Sequence, residues 1–141
     1  MIYSNTIMNA VLATMAGKDK FKGISIIKEF PKERRDNPLN GVVISLGAES
    51  VSVKKLSDKE KIEPQSSPMT VKVKLNVCVP KSYGGNHCYD VLDRIIEAMG
   101  DLISNYKVVS VESGELKYSP TLRTLVMPVV ITIDAGNAYE L

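Results

Sequence analysis

The chain has 141 residues, 44% of them hydrophobic and 24% charged, the make-up of one ordinary globular fold and far from that of a disordered segment. Its formal net charge of +2 is too small to argue for nucleic acid or an anionic membrane as a general partner. No apolar run approaches the ~20 residues that span a bilayer, and the first residues lack the charged start and apolar centre of a signal peptide, so a cytosolic chain without a membrane partner is expected.

In chain order, a helix is predicted from Ser4 or Asn5 to Ala16. Ile7, Met8, Val11, Leu12 and Met15 form its apolar stripe, Ser4 its cap, and Gly17 a left-handed terminating residue. Residues 24–30 have the β-branched character of a strand that Pro31 ends. The charged stretch 31–38 reads as a loop. A short strand at 42–46 follows, and after Gly47-Ala48-Glu49 the alternation of Val51 and Val53 with Ser50, Ser52 and Lys54 reads as another strand or the far side of a hairpin. Residues 54–67 are the most polar segment and cannot bury a face; a projecting loop or arm is expected near 54–68.

The clearest signal begins at Thr70. Val71, Val73, Leu75, Val77 and Val79 recur at every second position with Lys72, Lys74, Asn76 and Cys78 between them, the period of a strand with one buried and one wet face. Pro80 closes it, Gly84 and Gly85 permit a tight reversal, and Asn86 is placed to cap a helix carrying Val91, Leu92, Ile95, Ile96, Met99, Leu102 and Ile103 on its apolar side. Val108, Val109 and Val111 begin a strand that Leu116 and Tyr118 extend. The return strand carries Leu125, Met127, Val129, Ile131 and Ile133 on alternate positions. Pro128 within it predicts an edge strand or a bulge with one incomplete ladder. A short tail follows from Ala135.

The order helix, three or so strands, helix, two strands, with hairpin-length links, predicts an α+β fold: a mostly antiparallel sheet with two helices on one face, built from residues 1–141 as one domain. Open sheet edges invite pairing with a neighbouring subunit.

Chemistry-bearing residues are few. Cys78, His87, Cys88 and Asp90 are the one cluster to test for metal or nucleophilic catalysis, yet there is no C-x-x-C, and the adjacent His87 and Cys88 diverge at a helix start. Packed free thiols and a capping or surface histidine are the expectation. Gly84-Gly85 before a helix lacks both the G-x-G-x-x-G spacing and the lysine and hydroxyl of a P-loop, so a turn is predicted there instead of a phosphate cradle. The basic residues Lys32, Arg34, Arg35, Lys54, Lys55 and Lys59 are interleaved with Glu33, Asp36, Asp58 and Glu60, and the chain has two phenylalanines and no tryptophan for base stacking. These loops are therefore read as solvated or partner-facing segments. No catalytic residue, cofactor or metal site is predicted.

Several stretches resemble a known family: the 31–38 loop after the first strand, V-C-V-P at 77–80, G-G-N-H-C-Y-D-V-L-D at 84–93, S-G-E-L-K-Y at 113–118 and R-T-L-V-M-P-V-V-I-T at 123–132. Together they look like a tail terminator, or tail completion, protein of tailed bacteriophages, prophages and phage-tail-like contractile particles. The resemblance implies a virion structural protein without enzymatic activity, assembled in the bacterial host cytoplasm. It further implies a hexameric ring that ends tail-tube growth at the head-proximal end and offers a surface to the neck or connector protein and the tail sheath. DNA would pass through such a ring without sequence-specific binding. A neck or head–tail joining subunit of similar fold and a small metabolite-binding α+β domain are the alternatives.

Overall fold

Val71, Val73, Leu75, Val77 and Val79 are all fully buried, while Lys72 and Lys74 between them are exposed, as period-two alternation requires. They belong to the strand Pro68–Pro80, the spine of a six-stranded sheet. The computed structural model describes residues 4–27, 41–53, 68–100, 107–120 and 123–137. Within these, α1 (Ser4–Ala16) and a 3-10 turn (Asp19–Phe21) lead to β1 (Ser25–Ile27), β2 (Val43–Val53) and β3 (Pro68–Pro80). A second 3-10 turn (Lys81–Tyr83), α2 (Asn86–Gly100), β4 (Lys107–Ser113), β5 (Lys117–Ser119) and β6 (Thr124–Asn137) complete the chain.

The sheet order is β1-β2-β3-β6-β4, with β5 also paired to β6; every pairing is antiparallel except the short β1–β2 contact. The α+β architecture follows from two amphipathic helices meeting one apolar sheet face. Ile7, Val11, Leu12 and Met15 of α1 and Cys88, Val91, Ile95, Ala98 and Met99 of α2 join the β3 valines and Met127, Val129, Ile131 and Ile133 of β6 in one core.

Several expectations shift. Gly17 does not take a left-handed conformation; its N–H donates to the Ala13 carbonyl at 3.0 Å, and the left-handed glycine comes later, at Gly23. Residues 43–53 form one strand, with no turn at Gly47. The register slips between Leu46 and Ala48: Ile44 is the partner of the core residue Val77 before the slip, and Glu49, Val51 and Val53 are the partners of the core residues Val73, Val71 and Met69 after it. One extra residue inverts the parity of a strand, and a bulge at Gly47 therefore produces the break in alternation that reads as a hairpin. Gly85, not Asn86, holds the position before α2, with Cys88 N–H donating to its carbonyl. Ile96 is 48% exposed, outside the buried stripe of α2. β6 runs to Asn137, past the predicted tail start. The 31–38 loop, the 54–67 arm, Leu102 and Ile103 lie outside the described residues.

Pro128 sits in a central strand and not at an edge, but the incomplete ladder expected beside it is present on its β4–β5 side. β4 ends opposite Val129, β5 begins opposite Val126, and Pro128 faces the gap between them. Its carbonyl accepts the Gly114 N–H at 2.8 Å. In an antiparallel strand a residue's N and C=O point to the same side, so the missing N–H also falls in the gap and the β3–β6 ladder stays whole. A Cβ on residue 114 would lie 2.6 Å from Pro128 Cγ, closer than packed atoms allow. Gly114→Ala is expected to destabilise the fold by about 1 to 3 kcal/mol in chemical denaturation, the range for overpacking.

Arg123, in the β5–β6 connection, is the one described non-glycine residue with positive φ, at 52°. Arg123→Gly is expected to raise stability by about 0.5 to 1 kcal/mol, the relief of left-handed strain less the added freedom of the unfolded chain. An unchanged or lower midpoint in urea would mean that the arginine side chain offsets the strain.

Candidate interaction surfaces

The face of the sheet turned away from the helices is polar. Ser50 and Ser52 of β2, and Lys72 and Lys74 of β3, are exposed on it, with Thr70, Asn76, Ser110 and Thr132 half-buried among them. Such a face suits water or a hydrated partner. It does not extend the full length of the strands. Cys78, expected on the wet side, is fully buried, as is Ser45, while their neighbours Val43 and Val126 are half-buried. Alternation tells which face a side chain takes; whether that face is covered at a given height is decided by tertiary structure.

The thiols are free and buried. Burial lifts the Cys78 thiol from 9.0 to about 11; the nearby Cys88 thiol adds to the shift and the Ser45 hydroxyl opposes it. Burial likewise pushes Cys88 up. Ser45 Oγ is itself buried without a geometric hydrogen-bond partner. Thiols held neutral in this way are poor nucleophiles and poor metal ligands. His87 stands edge-on to Tyr83, ring centroids 5.4 Å apart, and Asp90 is exposed. The predicted quartet is thus divided between a buried pair and a surface pair. Among the described residues no three His, Cys, Asp or Glu side chains are placed to hold a metal, and no helix is long and apolar enough to cross a membrane.

Gly84 and Gly85 act as turn residues. Gly84 has φ 87°, and a Cβ on Gly85 would lie 3.0 Å from Leu116 Cδ2, so the turn packs on the β4–β5 connection. This end of the molecule carries a group that sequence reasoning missed. Lys81 Nζ lies 5.1 Å from the Tyr118 ring centroid, next to the Tyr83–His87 pair, and Tyr83 and Tyr118 are each about half exposed. The Lys81–Tyr118 contact depends on the pairing of both β3 and β5 with β6, which no short motif signals.

A cleft of about 170 Å³ lies between the first 3-10 turn and α2, lined by Lys18, Asp19, Lys20, Phe21, Arg94, Glu97 and Ala98. Its polar groups serve the fold: Lys20 pairs with Glu97, and Arg94 donates to the Lys20 carbonyl at 3.1 Å. The six basic residues singled out in sequence, Lys32, Arg34, Arg35, Lys54, Lys55 and Lys59, lie outside the described residues. The described strands on either side of residues 54–67 meet where Val53 of β2 pairs with Met69 of β3.

The sheet edges are the remaining surfaces. β1 covers β2 only from Val43 to Ser45, and β4 has no strand on its outer side among the described residues. Beside β4, Ile96 and Met99 of α2 with Val108, Val109 and Val111 line an open groove of about 530 Å³, where Val109 is 60% exposed.

No family model matches the chain, and no curated protein matches it in sequence. In three dimensions it is similar to a chain of a solved structure described as the virion of a native gene transfer agent particle. The TM-score is 0.62, the match covers 91% of this chain and 92% of that one, and the identity is 15%. At that identity the likeness is one of fold, and it extends over nearly the whole length of both chains.

Proposed function

We propose that this chain is a structural subunit of a phage or phage-tail-like particle, without enzymatic activity. It forms a ring on the head-proximal end of the tail tube, ends tube growth there and presents the surface on which the neck, or in a contractile particle the sheath, is seated. The observation that carries this reading is a fold shared end to end with a chain from a virion particle. The tail-terminator-like motifs support it. So do the outer side of β4 and the part of β2 beyond Ser45, which no described strand covers and which suit pairing with further copies.

The 31–38 loop and the 54–68 arm are the segments assigned to neighbouring rings. Their lysines and arginines belong on the outer or ring-to-ring surface, since a basic wall would retard DNA in a channel. Changing Lys32, Arg34 and Arg35 together to glutamate is expected to leave the melting temperature unchanged and to abolish joining of tails to the next component. Normal tail lengths with normal joining would refute the assignment. The location of the protein in labelled particles separates a terminator from a neck subunit. The ring itself is tested by solution mass and negative-stain imaging of the protein alone and with polymerised tail tube.

A further inference from the structure

We infer that copies of this chain associate head to tail by pairing the outer edge of β4 in one copy with the part of β2, from Leu46 to Val53, that no described strand covers in the next, so that one sheet runs on around the assembly. The inference deepens the ring reading above and rests on it for the particle context; the geometry comes from the register of the sheet.

Successive pairings carry one level across all four strands. Ser50 lies opposite Lys72, Lys72 opposite Thr132, and Thr132 opposite Ser110. In the same way Val51, Val71, Ile133 and Val108 share a level, as do Ser52, Thr70, Asp134 and Lys107. The part of β2 that no described strand covers and the whole of β4 therefore stand at the same height on opposite sides of the sheet. They also run in opposite directions, since β2, β3, β6 and β4 are joined by three antiparallel contacts.

A rotation about an axis along the strands preserves both height and direction. A neighbour related by such a rotation thus brings its β2 beside β4 in antiparallel orientation with no rise, which is the condition for a closed ring and not a helical filament. The faces also agree. Val108 packs against the core, and Ser110 and Ser50 both take the outer side. On β4, Val109, at the bulge between Val108 and Ser110, presents an exposed apolar side chain between the charged Lys107 and Glu112, and it borders the groove against α2. Bulges on both edge strands add the local twist that a curved, continuous sheet needs.

The test is disulfide trapping. Within one chain residues 50 and 110 are three inter-strand steps apart, about 14 Å, beyond the ~7 Å Cα limit of a disulfide, so any bond between them joins two copies. Cys78 and Cys88 are buried and do not compete. On mild oxidation from micromolar to millimolar protein, a mixture of S50C and S110C chains is expected to give at least tenfold more cross-linked dimer than either variant alone. The double variant is expected to give a ladder ending at the mass of a closed ring. Val109→Lys is expected to weaken association at least tenfold with its melting temperature retained. Rings of normal mass with no 50–110 bond, or with each variant cross-linking to itself equally well, would overturn the pairing and leave the ring reading standing. A chain that stays monomeric to millimolar concentration and gives no cross-link would also overturn the pairing; imaging on the tail tube would then decide the ring reading separately.

Discussion

Replacing Leu75 by alanine is expected to cost the folded state about 3 kcal/mol, within the 2 to 5 kcal/mol seen for large-to-small changes in well-packed cores. Leu75 is fully buried in the middle of β3, paired with Leu46 of β2 and Val129 of β6. Strands held on both sides by ladders cannot move in to fill the space, so the lost transfer energy and the residual cavity add. Lys74→Ala, one position away on the exposed face, is the control and is expected to change stability by no more than about 0.5 kcal/mol. Urea unfolding checks both, provided the slope of each transition is unchanged. A Leu75→Ala loss below about 1 kcal/mol would mean that the sheet and helices can collapse on the vacated site, contrary to the packing described.

Alkaline titration should expose the buried thiol. Cys78 loses its proton at 9.0 in ordinary surroundings and only near 11 in the fold, chiefly because burial penalises the thiolate. Below pH 9 both folded and unfolded chains keep the proton, and the thiol contributes nothing to the pH dependence. Between pH 9 and 11 the unfolded chain gives it up while the folded chain retains it. The unfolded state then binds fewer protons, so stability falls as pH rises and levels off above about 11. The loss attributable to this group is on the order of 2 to 3 kcal/mol. Other groups titrate in the same window, so the measurement is the difference between the wild-type chain and Cys78→Ala in urea at pH 8 and pH 10.5. The alanine variant should show the shallower decline; equal slopes would mean that the thiolate is accommodated in the fold.

Much of the architecture was legible in the residues because it rests on local periodicity. The alternating valines of β3 and the apolar positions of β6 fall on the buried face as read, and α1 and most of α2 are where the 3.6-residue period put them. The misreadings have a common origin in contacts between distant segments. Gly47 looks like a turn until the continuous pairing of β2 with β3 shows a bulge. Pro128 looks like an edge until the gap between β4 and β5 shows how a central strand can hold it. Cys78 takes the face the alternation assigns, but at a height where that face is covered. Ile96 falls on the predicted helical stripe, yet α2 meets the sheet through a narrower set. The candidate site was less legible still: the basic residues singled out lie outside the described residues, while Lys81 and Tyr118 come together through a strand pairing no short motif encodes.

By itself, the sequence determined the class of this protein: an α+β chain with a one-sided sheet, two amphipathic helices and no catalytic or metal motif, because each of those properties is written in residue type and spacing along one segment. Which strands are neighbours, which edges stay open and at what height they lie depend on the register between segments distant in the chain. Only the tertiary structure decided those, and they set the β2 and β4 edges level and opposed as a head-to-tail ring requires.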